Sequence, residues 1–561
     1  MCRAVLIAAI AVTPLALMSE VFLSHDVIPK VLLILTGAAC VLFLSKEWIP
    51  GRGPFLYLVA AQAMSLALST AFSSQRALSL VGATWRRFGF VEQLATLVIA
   101  CGAAAIARPS WTRRLLRAMT VCGGIGAIYG IAQYFGIDPF LDPDLYTIQF
   151  LGGVVRPPAT MGHAIYFAAY LVPIALLAAS TAGTEDPPWK RLEWLVCLLA
   201  VAAILLSGSR AAVLAAGAGG LMLARRTFVR LAVAAFVLAG VAALFLISPV
   251  RLRQWYEDPG GTRLGVWRDS PTLILHHSLL GTGPETFAKE FRAIESVELS
   301  RAYPDFYHET PHNAFIDAAC AQGIPGALIL AAVFALGLYA PRGELNEQQR
   351  GLQAALAGLL ITSLFASLTL VTSMLIWTLA GLRARSAVVE RPPQAARIAG
   401  LAFVAAAIVL GVQDRSYALL QDAVDERNLV AASNAFSVAT GFPPGLPGYE
   451  LWSSREFASL GRPAKNSPAI PEAWAKAAEA ADLAEKQGEE PFTAAYQVSV
   501  LAVASGDLAR AETAARETIR LAPNWYKPHL LLGQILQAAG RGEEAMREFQ
   551  QSRNLGWKGV E

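Results

Sequence analysis

Apolar residues in this chain fall in blocks of about twenty, separated by short polar loops, with neither the alternation of strands nor narrow amphipathic stripes. A block of that length crosses the hydrocarbon core of a bilayer as a helix. The blocks predict helices near 4–24, 28–45, 55–72, 89–107, 115–135, 164–181, 192–207, 210–224, 228–248, 313–340, 351–366, 368–382 and 398–413. The expected fold is all-α, a polytopic transmembrane bundle of 12 to 13 spans. The stretch 351–382 reads either as one long tilted helix or as a tight hairpin, since its length at 1.5 Å per residue exceeds the bilayer core. The first block, "MCRAVLIAAIAVTPLALMSE", has the Arg3-then-apolar layout of a signal peptide. Equally apolar segments follow it, so it is read as an uncleaved first span.

The pattern lapses twice. Residues 249–312 form a long polar loop, and beyond 413 the blocks stop. The stretch 434–470 is rich in Pro, Gly and Ser, so 414–470 reads as a linker or irregular cap. Residues 471–561 become amphipathic and repeat: Gly506 recurs as Gly540, Ala511 as Ala545 and Ala515 as Phe549, each at a spacing of 34. That is the tetratricopeptide period, with small residues where paired helices touch and Pro523 closing a repeat. The expected domains are therefore a membrane domain over 1–413 that includes the outer loop 249–312, the linker or cap, and a helical tetratricopeptide domain over 471–561, suited to binding a protein partner or to acting as a spacer.

Composition agrees with this layout: 55% of the residues are hydrophobic and 16% charged, and the mean hydropathy is +0.46. A soluble enzyme is excluded. Residues 1–413 carry 31 Lys/Arg against 23 Asp/Glu, while 414–561 carry 15 against 19. All six cysteines (Cys2, Cys40, Cys101, Cys122, Cys197 and Cys320) lie in or beside apolar runs, which indicates neither a disulfide framework nor a cysteine metal site. With the N-terminus in the cytoplasm, 18 Lys/Arg fall in inside loops and 6 in short outside loops. The positive-inside rule thus puts 249–312 and the tail outside the cytoplasm.

Arg86, Arg87, Arg156 and Arg210 break that rule. An Arg at mid-helix depth costs about 2.5–3.5 kcal/mol on insertion scales, less near the interface. Arg86 or Arg87 alone could snorkel to water. Several arginines at one membrane surface suit a lipid-borne anion, above all a pyrophosphate, which guanidinium grips bidentately. In the outer loop, Arg263 and Trp267 are four apart and share a helix face. The following Gly281-Thr282-Gly283 is a weak phosphate signal, and His276 and His277 read as surface residues at a helix end. Pro311 disfavours helix before it, so the next helix should start at His312 or Asn313, with Asn313 as N-cap. Gly323-Ile324-Pro325-Gly326 should bend it. His312 is then held at the interface near the arginines, where an imidazole could take a proton from a hydroxyl or simply cap the helix. His308 reads as a positioning neighbour. No metal is expected: the seven histidines include no helix-spaced set beyond His308 and His312, and the arginines would repel a cation.

"PHNAFIDAACAQGIPGA" resembles the His-Asn…Gly-x-x-Gly signature of the O-antigen ligase and polymerase superfamily, and "SGSRAA" resembles its Ser-Arg motif. "TRLGVWRDS…LLGTGPETF" resembles its Arg-x3-Trp and Gly-x-Gly-Pro segment, and "RRFG" with "RPPATMGHAIYFAAYL" resembles upstream segments of relatives with tetratricopeptide tails. The resemblance spans about 80–340. It implies a metal- and cofactor-independent glycosyltransferase of the inner membrane that moves a glycan from an undecaprenyl-diphosphate carrier, on the outer face, to lipid A core, a growing glycan or a protein hydroxyl. Arg210 and Arg263 would hold the diphosphate, with Arg86, Arg87 and Arg156 as further candidates. His312 would activate the acceptor, supported by Asn313, His308 and Trp267. Two departures bear on the acceptor: Glu309-Thr310-Pro311 stands where relatives often carry acidic-Arg-Ala, and Met161-Gly162-His163-Ala164 where they carry Gly-Asn-Pro-Asn. A polysaccharide or lipid transporter with a docking tail is the competing class; it predicts polar groups on both sides of the membrane. A non-catalytic scaffold would leave His312 and the arginines unexplained.

Overall fold

The computed structural model describes residues 2–44, 49–148, 153–246, 260–304, 306–339, 345–384, 394–442, 445–464 and 468–558. The loop residues 249–259 and the basic residues Lys46, Arg342, Arg385 and Arg391, which enter the charge count above, lie outside them. The chain is helical, relieved among the described residues by one two-stranded antiparallel ribbon, Thr147–Ile148 with Val154–Val155.

Among the described residues, five helices are long and apolar enough to cross a membrane: Pro54–Ala71, Pro109–Tyr134, Ala164–Ala182, Ala314–Leu338 and Gln394–Asp425. Shorter apolar helices, among them Ile28–Leu44, Phe90–Ala105, Arg210–Leu223 and Leu370–Ala384, pack between them. The chain is a multi-pass membrane protein. Ala164–Ala182 is the most enclosed of the five and packs against Pro109–Tyr134, Trp189–Leu206, Arg210–Leu223 and Glu347–Ser363. Small residues let it do so: a Cβ at Gly130 would lie 2.4 Å from Phe167, and one at Gly123 2.5 Å from Ile174.

The expected first span, 4–24, is not one helix. Cys2–Ala11 ends early, a 3-10 turn follows over Thr13–Leu15, and turns continue toward Ile28. Pro14 removes a donor, and Ser19, Glu20, Ser24 and Asp26 are too polar to continue an apolar block. Lys30 secures the non-helical segment by donating to Ala16 O at 3.1 Å and Thr160 O at 2.5 Å.

The ambiguous stretch 351–382 resolves into two helices, Glu347–Ser363 and Leu370–Ala384. Carbonyls freed at the break between them are used: Leu364 O accepts from Asn313 Nδ2 at 3.0 Å and Leu368 O from Arg86 at 3.2 Å.

The reading of 414–470 as a linker or irregular cap is also corrected. Gln394–Asp425 runs unbroken through 413, and Leu429–Thr440 and Glu450–Leu460 are helices. Gly441, Gly445, Pro447 and Gly448 fall in the turn between the last two, while Ser437, Ser453, Ser454 and Ser459 are accommodated within the helices. Five further helices follow: Pro471–Gln487, Pro491–Ser505, Leu508–Leu521, Tyr526–Ala538 and Gly542–Asn554. The pairs spaced by 34 occupy matching places: Gly506 and Gly540 end helices with φ of 81° and 77°, and Ala511 and Ala545 are buried.

The tail is joined to the rest at many points. Ser24 donates from N (3.1 Å) and Oγ (2.7 Å) to Asp414, and Tyr449 OH meets the same Oγ. Gln75 Nε2 reaches Gly488 O at 3.1 Å. Asn524 Nδ2 donates to Glu295 O at 2.7 Å, and Arg292 lies over the rings of Phe492 and Trp525.

Candidate active site

The helix Ala314–Leu338 begins where Pro311 and Asn313 predict. Asn313 Oδ1 accepts from Phe315 N at 2.9 Å and Ile316 N at 3.2 Å, a side-chain N-cap. His312, immediately before it, is held with φ of 51°, a conformation costly for a residue with a Cβ. Its N–H donates to Thr310 Oγ1 at 3.3 Å, and Trp267 Nε1 donates to Pro311 O at 2.7 Å. Trp267 thus fixes the peptide that aims His312. It stands on the helix Thr262–His276, one turn after Arg263, as their spacing requires.

The expected bend lies at Gly323 (φ 71°, ψ −176°), and it explains the glycine-rich segment of the outer loop. Thr282 N and Gly283 N donate to Cys320 O (2.9 Å) and Ala321 O (3.0 Å), and Ile324 N donates to Ser278 O (2.8 Å). Gly281-Thr282-Gly283 is spent docking the loop on the kinked helix, and its peptide donors face protein carbonyls. His276 and His277 are exposed at a helix end, as read.

A cavity of about 460 Å³ lies in front of His312. Its walls include Arg86, Tyr166, Glu309, Thr369 and Met161, with Tyr449 contributed by the tail. His163 also lines it. This histidine N-caps Ala164–Ala182 by accepting from Ile165 N on Nδ1 at 3.1 Å, which leaves the proton of the neutral ring on Nε2.

The arginines divide into two groups. Burial and the nearby charge of Arg210 lower the pKa of Arg263. Arg156 Nε donates to Ser207 O at 3.4 Å in the turn that leads to Arg210, and Ser209 caps that helix through Ala212 N. Burial, then the fields of Arg156, His312 and Arg263, push His163 down to about 4. Burial, then Arg263, His308 and Arg86, push His312 down to about 4 against the opposing pull of Asp317. Arg156, Arg210, Arg263, His163 and His312 therefore share one electrostatic neighbourhood.

Arg86 and Arg87 are differently placed. Arg86 meets Glu285 at 2.5 Å and Asp317 at 2.9 Å. Burial opposes its charge, yet the two carboxylates hold it firmly protonated. It lines the cavity with its charge already matched. Arg87 is not brought to the cavity: it is 1% exposed and donates to Gly82 O, Pro447 O and Gln413 Oε1 at 3.3–3.5 Å. Both arise from the tight loop "GATWRRFG", closed by Gly82 and Gly89, where a Cβ on Gly89 would meet Gly82 N at 2.3 Å. His308 is also turned away. Its Nε2 lies 3.5 Å from Glu295 and its ring stands edge-on to Phe291.

Glu309 and His163 were not singled out by sequence reasoning as site residues. Desolvation, then the Glu490 carboxylate, pushes Glu309 up to about 7. The signals available were its spacing of three from His312 and, for His163, its place at the head of an apolar block after Met161-Gly162.

Residues 195–331 match the O-antigen ligase family model. The matched O-antigen ligase segment takes in Arg210, Arg263, Trp267, His308, His312 and Asn313 and reaches past the kink. Arg86, Arg156, His163 and the tail lie outside it. No curated protein matches the chain. In a multi-pass membrane chain, the match supports a glycosyltransferase-like function. Among the described residues, no three His, Cys, Asp or Glu side chains cluster as metal ligands.

Proposed function

We propose that the chain transfers a glycan from an undecaprenyl-diphosphate carrier to an acceptor hydroxyl at the outer face of the inner membrane, with His312 as general base. The observation that carries this reading is the cavity in front of His312, whose neighbourhood includes Arg156, Arg210 and Arg263. A neutral imidazole takes the proton of the acceptor hydroxyl. The acceptor oxygen attacks the anomeric carbon with inversion, and the bond to the diphosphate oxygen breaks. The carrier diphosphate leaves with that electron pair, stabilised by guanidinium groups positioned before the reaction.

The low pKa of His312 fits this scheme. Before substrate binds it is neutral at physiological pH, ready to accept a proton. An arriving diphosphate offsets the cationic field of Arg263 and strengthens the base when it is needed. Arg86 has a different part in this reading: it orders Glu285 and Asp317 behind the cavity. Arg87 secures the tail. The acceptor is a hydroxyl of lipid A core, glycan or protein, and the 34-residue helical repeats are tetratricopeptide-like and extracytoplasmic.

Purified protein, lipid-linked glycan and candidate acceptors provide the test, read by the mobility shift of each acceptor. His312→Ala should lower turnover by about 10²–10⁴ even at saturating donor. Arg263→Ala should instead weaken donor saturation. Near-normal transfer by a correctly inserted His312→Ala protein would remove the histidine from the chemistry.

A further inference from the structure

A second recess, of about 130 Å³, adjoins the main cavity. The two share Thr84 and Tyr449 as wall residues, so they are neighbours, and all of the recess's lining but Thr84 comes from the tail. The far walls are Trp452 and Arg455 on the helix Glu450–Leu460, with Glu489 and Glu490 in the turn after Pro471–Gln487. Trp452 is half-buried and stands at 80° to the Tyr449 ring, and Arg455 is exposed. The turn is anchored from the membrane side, since Thr84 N donates to Glu489.

The chemistry of these walls narrows the ligand. Arg455 is the one cation among these wall residues, so a second phosphate would find little to hold it. Three carboxylates and a guanidinium are wrong for an acyl chain. Glu450 is already satisfied, accepting from Tyr417 OH and Gly448 N at 3.0 Å each. What remains is an indole, two carboxyl groups and a guanidinium around a space on the scale of one sugar ring. Carboxyl oxygens accept from hydroxyls, guanidinium donates to ring and hydroxyl oxygens, and the indole face covers the apolar face of a pyranose. Burial pushes Glu489 up to about 8, so this carboxyl carries a proton at neutral pH and can donate as well as accept.

We propose that this recess is a saccharide subsite, built by the tail, that holds a sugar residue of the glycan lying next to the reacting one. It rests on the glycosyl-transfer reading above and extends it, giving the tail a direct part in substrate recognition. The sugar belongs either to the carried glycan or to a glycan acceptor, and the same groups would recognise both.

Binding by the full-length protein in nanodiscs tests the subsite apart from catalysis. The probes are the free oligosaccharide released by mild acid from the cell's own carrier lipid and, in a parallel arm, deacylated lipopolysaccharide core. The background is His312→Ala, which leaves the recess intact. One of the two probes should bind, identifying the source. Glu490→Ala should weaken that binding about tenfold, the worth of a hydrogen bond to a charged group. Trp452→Ala should weaken it further, and Trp452→Phe should restore part of the loss. Equal binding by the parent, Glu490→Ala and Trp452→Ala overturns the proposal, and so does the absence of binding by either probe. Transfer by the wild-type protein is measured separately. A protein that transfers glycan but binds neither probe in the recess loses the subsite and keeps the function; one that transfers nothing loses the function.

Discussion

The field of the arginines on His312 should be readable in a pH profile. An imidazole titrates ordinarily at 6.5, and burial with Arg263 as the leading charge pushes His312 down to about 4. A base of that pKa stays unprotonated through the neutral range, so kcat/KM, which reports the free enzyme, should show no acid limb from His312 near 6.5. Arg263→Gln removes the leading cation and leaves burial in place. Part of the depression should be relieved, so the limb should rise by about one pH unit, since a nearby like charge disfavours the protonated form and its removal restores it. The sign follows because a cation disfavours protonation of its neighbour. In wild type, kcat should show a higher acid limb than kcat/KM, since the bound diphosphate offsets the cations, and a diphosphate esterified at both ends has no proton of its own to lose there. Glu309, pushed up to about 7, could add a limb that Glu309→Gln would remove. The assay is initial-rate transfer in nanodiscs at limiting and at saturating donor. A wild-type limb near 6.5 in kcat/KM that persists in Glu309→Gln, or a limb unmoved by Arg263→Gln, would refute the electrostatic account.

Three further outcomes follow from contacts around the site. Trp267→Phe keeps the ring and loses the 2.7 Å bond to Pro311 O. It should lower kcat several-fold with little change in thermal stability, because one such bond is worth about 1 kcal/mol; an unchanged kcat counts against Trp267 as the support of His312. Gly323→Ala puts a Cβ at positive φ and 2.6 Å from Leu279 C and Ser278 O. It should cost more than about 1 kcal/mol, visible as a lower inactivation midpoint and lost transfer, and wild-type behaviour would mean the kink is not rigid. Arg86→Met leaves Glu285 and Asp317 buried without their cation and should destabilise by about 3–5 kcal/mol. The triple variant with Glu285→Gln and Asp317→Asn should recover part of that in thermal denaturation, and no recovery would argue against the charge balance drawn here.

What the sequence discloses about the site is what local chemistry decides. Asn313 as a cap, the bend at Gly323 and the shared face of Arg263 and Trp267 each depend on residues a few positions apart, and all are found. Arg86 and Arg87 look alike in sequence because their fates are set by distant partners: Glu285 and Asp317 for one, Gln413 and Pro447 for the other. The glycines of Gly281-Thr282-Gly283 suggest an anion loop until the kinked helix that occupies their donors is seen. The run 4–24 is apolar enough to span, but Pro14 and the polar residues that follow it stop the helix. Tyr449 and Glu489 could not be tied to the site from sequence, because nothing along the chain tells that the tail folds back to Ser24 and Thr84.

The unbroken helix Gln394–Asp425 makes the tail a part set in phase with the membrane domain. At 3.6 residues per turn, inserting or deleting one residue turns everything beyond it by about 100° and moves it by about 1.5 Å along the axis. A flexible tether would absorb such a change, but a rigid post cannot. Gln413 and Asp414 sit within the post and meet Arg87 and Ser24 directly, so a slip upstream of them would swing Tyr449 out of the cavity wall. Length variation should therefore be tolerated in the turns of the helical repeats and forbidden between about 394 and 425, except in steps close to whole turns.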